Sequence, residues 1–80
     1  MDYYTWLAHC RAYSDYLYSY DVVSDLPQRF EQSYRLGETV QDAVEEAGSK
    51  YCLQRLDEIS IFKIPCPLTR EQLDARNSEA

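Results

Sequence analysis

The chain has 80 residues, fourteen acidic against eight basic side chains, and a formal charge of −6 with its one histidine neutral. That length holds one small domain, and a chain this short buries only about 60% of its unfolded surface, which makes stability marginal. Two glycines and three prolines argue against disorder and against a turn-rich all-β fold, and no apolar run approaches the about 18 residues of a membrane-spanning helix.

The opening MDYYTWLAHC lacks the basic and apolar regions of a signal peptide, so a cytoplasmic location is expected. A first helix is predicted from Asp2 to about Tyr20. Tyr3, Trp6 with Leu7, Cys10, Tyr13, Leu17 and Tyr20 recur at three- and four-residue steps and share a face. Asp2 complements the positive end of the helix dipole. Tyr16, Tyr18, Tyr20 and Val22 alternate as a strand would, but the helical period covers more of the segment. Ser24-Asp25-Leu26-Pro27 then combines a break with a start, Ser or Asp serving as cap and Pro entering a first turn. Leu26, Phe30 and Tyr34 mark the second helix, and Gly37 stops it.

A third helix is predicted to start near Glu38 or Thr39, with Val40, Val44 and Ala47 facing inward. Gly48-Ser49 either ends it, with Ser49 capping a further helix, or is passed through. A helical Gly costs about 1 kcal/mol against Ala. The unbroken stripe Val40, Val44, Gly48, Cys52, Leu56 and Ile59 nevertheless tips the reading toward one helix over residues 39–59. Beyond Ser60 the short apolar run Ile61-Phe62-Lys63-Ile64 and Pro65-Cys66-Pro67 predict an extended segment near residues 61–67, laid across the helices. Thr69 followed by Gln72 matches a capping box, opening a short helix to about Arg76 on the anchors Leu68 and Leu73, with residues 77–80 fraying. The expected fold is mainly α: a small compact bundle of three to five helices forming one acidic domain over residues 1–80.

No residue pattern carries catalysis. Cys10, Cys52 and Cys66 share no Cys-x-x-Cys spacing, and Cys10 and Cys52 lie on predicted core faces, as small hydrophobes do in a reducing compartment. His9 could complete a metal site with Cys10 only if adjacent helical residues converged, and they point about 100° apart. Glu45-Glu46 and Asp57-Glu58 diverge for the same reason. There is no nucleophile elbow and no Gly-rich phosphate loop. The expectation is a protein that is not an enzyme and takes no cofactor or metal.

Tyrosine and charge say more. Six of eight tyrosines fall in the first twenty residues. One helix face buries about three, for which Tyr3, Tyr13 and Tyr20 are the natural choices, leaving Tyr4, Tyr16 and Tyr18 on flanks or outside. They serve either as Phe substitutes with hydroxyls at the water boundary or as a binding surface. Base stacking is disfavoured, because residues 12–28 carry three acids and no base to meet phosphates. Residues 36–49 carry four more acids without a base. There Glu38, Asp42, Glu45 and Glu46 follow i, i+4, i+7, i+8 spacing and line one helix face about 12 Å long. One charge per ~3 Å is close to the ~3.4 Å spacing along a DNA strand. Solvation alone produces such faces too.

A small acidic helical chain without catalytic motifs resembles, as a class and through no residue motif, the inhibitors that phages and mobile elements direct against host nucleic-acid machinery, anti-CRISPR proteins among them. That resemblance implies a non-catalytic inhibitor occupying the basic nucleic-acid-binding surface of a host protein. The expected partner-binding residues are Glu38, Asp42, Glu45 and Glu46, with Asp15, Asp21, Tyr16 and Tyr18 as a second patch. Direct contact with nucleic acid or membrane is not expected, and the chain is read as a monomer or homodimer. The alternative is an assembly subunit or homodimeric helical module that packs through its Tyr-rich first helix.

Overall fold

The computed structural model describes residues 2–53 and 65–77, and among these it is mainly helical, with five helices and no strand. They are α1 (Tyr3–Tyr18), α2 (Val22–Asp25), α3 (Pro27–Arg35), α4 (Val40–Lys50) and α5 (Arg70–Leu73). None is long and apolar enough to cross a membrane.

Side-chain caps set most of the starts. The Asp2 carboxylate accepts the Thr5 N–H at 2.7 Å, and Thr39 Oγ1 accepts the Asp42 N–H at 3.1 Å, each satisfying a donor that a helix leaves open. Thr69 forms both arms of a capping box with Gln72, as the sequence predicts. The start of α3 differs from expectation. Ser24 and Asp25 lie inside α2, a turn capped by Asp21, while Leu26 precedes Pro27 without a side-chain cap.

The core forms where α1 packs on α4, closed by α2 and α3. Trp6, Cys10 and Leu17 from α1 meet Phe30, Val40, Val44 and Ala47, all essentially without exposure. Fully burying the Leu17, Phe30, Val40 and Val44 side chains contributes about 1.5–3 kcal/mol each. The Trp6 ring sits 6.2 Å from Phe30 and 5.4 Å from Tyr34, and Tyr3 lies 5.2 Å from Tyr34, so α3 closes this end with rings. At the other end the Tyr18 ring lies on Gly48, where an added Cβ would collide with the ring's Cζ and hydroxyl. Gly48 is therefore a packing residue rather than a helix breaker. Trp6 and Val40 share one end of the seam and Tyr18 and Gly48 the other, so α1 and α4 run in the same direction.

Two helix ends differ from the sequence reading. α1 stops at Tyr18 because Ser19 takes a left-handed conformation, φ 50°. Buried Ser14 fixes that turn: its hydroxyl donates to the Tyr20 carbonyl and accepts the Val22 N–H at 3.1 Å. Tyr20 is thereby carried off the core face, and Tyr18 takes the buried place expected for it. α4 passes through Gly48-Ser49 but ends at Lys50, not in one helix over residues 39–59. Cys52 turns left-handed at φ 54°, and the N–H groups of Cys52 and Leu53 close back on Ser49 and Gly48. Gly37 ends α3 by the same pairing of bonds, to Tyr34 and Ser33, with the residue type that suits it. Leu56 and Ile59, and the expected extended run Ile61–Ile64, lie outside the described residues.

Pro65-Cys66-Pro67 is non-helical, as expected, and leads into α5, which ends at Leu73 rather than Arg76. The Ala75 carbonyl then accepts two bonds, from the Trp6 indole N–H at 3.1 Å and the Val40 N–H at 3.0 Å. Residues 65–77 are thus fastened across the common start of the α1–α4 seam.

Candidate protein-docking face

The inward side of α4 fixes its outward side. With Val40, Ala43, Val44, Ala47 and Gly48 buried, the 100° step per residue turns Asp42, Glu45 and Glu46 away from the core. Asp42 and Glu46 are exposed and Glu45 is half-buried. Glu38 does not belong to this row. It precedes the cap Thr39, in the turn where its N–H bonds the Ser33 carbonyl, so helical spacing does not apply to it. The helical acidic row is therefore three residues spanning about 6 Å, half the expected length, with Glu38 half-buried at its N-terminal side.

The acids also differ in what they face. Glu46 accepts from Arg29 of α3 at 2.9 Å, which neutralises part of the row. Asp42 and Glu38 enter no ion pair among the described residues. Asp42 lies in the first turn of α4, where the helix dipole favours a carboxylate.

A second acidic group gathers where α1 and α4 both end. Asp15 is exposed on the last turns of α1. Asp21 caps α2 and lies 3.9 Å from Arg11. Burial pushes the Asp21 carboxyl up, but hydrogen bonds from Ser24 and the Arg11 charge outweigh it, leaving the group below the ordinary Asp value. Tyr20, about half exposed, donates its hydroxyl to Asp25, a bond that holds the phenol above its ordinary value, and the charges of Asp25 and Asp21 act in the same direction. Tyr51, the C-cap of α4, is also exposed and close enough to act on the same phenol.

The tyrosines at this corner are not those the sequence selects. Tyr18, placed in the second patch, is only 9% exposed and offers a partner little. Tyr16 is half-buried and stacked on Tyr13 at 6.3 Å. Tyr20, assigned to the core, is exposed, as is Tyr51, which the sequence reading left unassigned. The misplacement of Tyr20 follows from Ser19: a left-handed non-Gly residue leaves no mark in a periodicity count. Most of the Tyr-rich first helix is spent inward, on Tyr34, Tyr13 and Gly48, with Tyr4 as its one strongly exposed ring among the described residues.

The three cysteines are free and in different settings. Burial drives the Cys10 thiol well above its ordinary value, so it stays protonated and unreactive. Cys52, expected in the core, is exposed because α4 stops before it. Among the described residues no three His, Cys, Asp or Glu side chains are grouped to hold a metal ion. Comparison with protein-family models, curated proteins and solved structures gives no match.

Proposed function

We propose that this chain is a non-catalytic protein-binding inhibitor that lays its acidic α4 face against the basic nucleic-acid-binding surface of a nucleic-acid-handling protein. The observation that carries the reading is the arrangement around α4. Its carboxylates project outward from a helix whose other side is fully committed to the core, and at its C-terminal end the exposed rings Tyr51 and Tyr20 stand beside Asp21 and Asp25.

Size decides how these parts work together. An 11-residue helix offers a face about 16 Å long and about 10 Å wide, far below the about 800 Å² per partner of a stable interface. The row alone can steer a basic partner and speed encounter. Affinity needs desolvated contact area, which tyrosines supply for little lost entropy. Glu38, Asp42, Glu45, Glu46, Asp15 and Asp21 are the charged contacts in this reading, with Tyr20 and Tyr51 in place of Tyr18, and Tyr16 at the margin.

The test is affinity capture from a nuclease-treated lysate with wild type and with the triple variant Glu38→Lys, Asp42→Lys, Glu45→Lys, each washed at low and high salt. The reading expects a basic nucleic-acid-binding protein that wild type retains at low salt, releases at high salt, and the variant fails to retain. Equal retention by the folded variant overturns it. Salt-resistant self-association would favour the assembly module instead.

A further inference from the structure

We infer that residues 65–77 form a displaceable strap, latched by the Ala75 carbonyl, which opens as a unit while the α1–α4 body stays folded. The strap and what it covers differ sharply in burial. No residue from 65 to 77 is buried; Cys66, Leu68, Leu73 and Ala75 pack on the core only in part. Trp6 and Val40 beneath it have no exposure at all.

Three other ties of the strap are local or exposed. The capping box of α5 and the Arg70–Asp74 pair at 3.2 Å lie within the strap itself, so they hold its shape and not its place. The exposed Arg70–Gln41 bond reaches α4 at 3.3 Å. The Ala75 carbonyl is a fastening of another kind, for it joins two elements at once, through the Trp6 indole of α1 and the first N–H of α4. Val40 opens α4, so its N–H has no acceptor within the helix, and the strap's carbonyl completes the cap that Thr39 begins. Release uncovers the indole edge and that N–H together, and leaves the Tyr18–Gly48 end of the seam untouched. Segments with few buried contacts open at lower free energy than the cores they cover.

The two donors sit on different helices, which gives the opening a signature that fraying of either helix lacks. Native-state hydrogen exchange on the intact chain, followed by NMR across low urea concentrations, reads it. The Trp6 indole N–H and the Val40 amide are expected to exchange at matched protection, at least about tenfold below the Leu17 and Val44 amides, with little urea dependence. The variant Val23→Ala, in α2 at the far end of the body, then separates the openings. It should speed exchange at Leu17 and Val44 by about tenfold and leave the indole and Val40 unchanged. If the indole and Val40 exchange in wild type only with Leu17 and Val44, at the same steep urea dependence, the strap belongs to the global unit and the inference fails.

Discussion

The two sides of α4 are built from the same eleven residues and answer to different constraints. On the inner side every residue has a neighbour that dictates its size: Val40 and Val44 fill the seam, and Gly48 is small because the Tyr18 ring occupies the space a Cβ would need. On the outer side only Glu46 has a fixed partner in Arg29 among Asp42 and Glu46, the two fully outward acids. Packing chooses the first set; the second answers to no core contact, with Glu46 held by Arg29 and Asp42 favoured by the helix dipole. Stability and recognition should therefore separate cleanly by face.

The harshest way to break that comparison is Trp6→Ala on the seam. Removing a fully buried ring costs about 3–5 kcal/mol, a large part of the ~5–15 kcal/mol a whole domain holds. Urea titration should show the chain mostly unfolded or with its midpoint sharply lowered. A midpoint near wild type would mean that Trp6 is not the keystone of the seam.

Gly48→Ala sharpens the contrast, because propensity and packing predict opposite signs. Helix propensity favours Ala by about 1 kcal/mol; the clash with the Tyr18 ring costs about 1–3 kcal/mol as overpacking. A net loss of stability is expected, and it should shrink or reverse in a Tyr18→Leu background. A stabilised single variant would show that the ring yields freely. At the end of the same helix Cys52→Gly should stabilise by about 1 kcal/mol, since Cys52 holds a left-handed conformation that Gly adopts without strain and its exposed side chain gives up little packing. A lower melting temperature for this variant would contradict that account.

Acid should weaken the helix starts. A hydrogen bond from the Thr5 N–H lowers the Asp2 carboxyl below its ordinary value, and Asp21 is lowered on balance by Ser24 and Arg11 against its burial. Each binds its proton less readily folded than unfolded. Their contribution is present above the ordinary Asp value near about 4 and is lost as pH falls through the lowered folded values. Asp2→Asn with Asp21→Asn keeps both caps but removes the titration. Its urea midpoint should fall less than that of wild type between about pH 5 and about pH 2.5; an identical fall would assign the acid sensitivity elsewhere.

The smallest change in stability per substituted residue belongs to the outer face. The triple variant Glu38→Lys, Asp42→Lys, Glu45→Lys should lose no more than about 0.5 kcal/mol per site, apart from the dipole contribution of Asp42. A large loss would mean that this face is structural after all.

What the sequence made legible follows the same division. Periodicity located Trp6, Cys10, Leu17, Phe30, Val40, Val44 and Ala47, because burial imposes a repeat on residue type. The Thr69–Gln72 box was readable as a cap because its two polar side chains at that spacing have few other uses, whereas Asp2 and Thr39 were legible only as an acid and a residue near a helix start, and the structure makes both of them caps. Ser19 and Cys52 were not readable. Each reverses the backbone without the glycine that usually announces the turn, so the end of α1, the end of α4 and the choice of exposed tyrosines all moved with them. The acidic face was half legible. The outward row survives in Asp42, Glu45 and Glu46, while Glu38 fell outside it once the cap proved to be Thr39. The pairing of Glu46 with Arg29, seventeen residues away, depends on how α3 folds back on α4.

The most direct measurement of the central claim is competition. A captured partner, purified with this chain bound, is titrated with duplex DNA and with single-stranded RNA while the amount of complex is followed at fixed salt. Occupation of a basic nucleic-acid-binding surface by the α4 face predicts mutual exclusion: nucleic acid displaces the chain, and more of the chain restores the complex. A stable ternary assembly, in which nucleic acid and the acidic chain sit on the partner together, would contradict it.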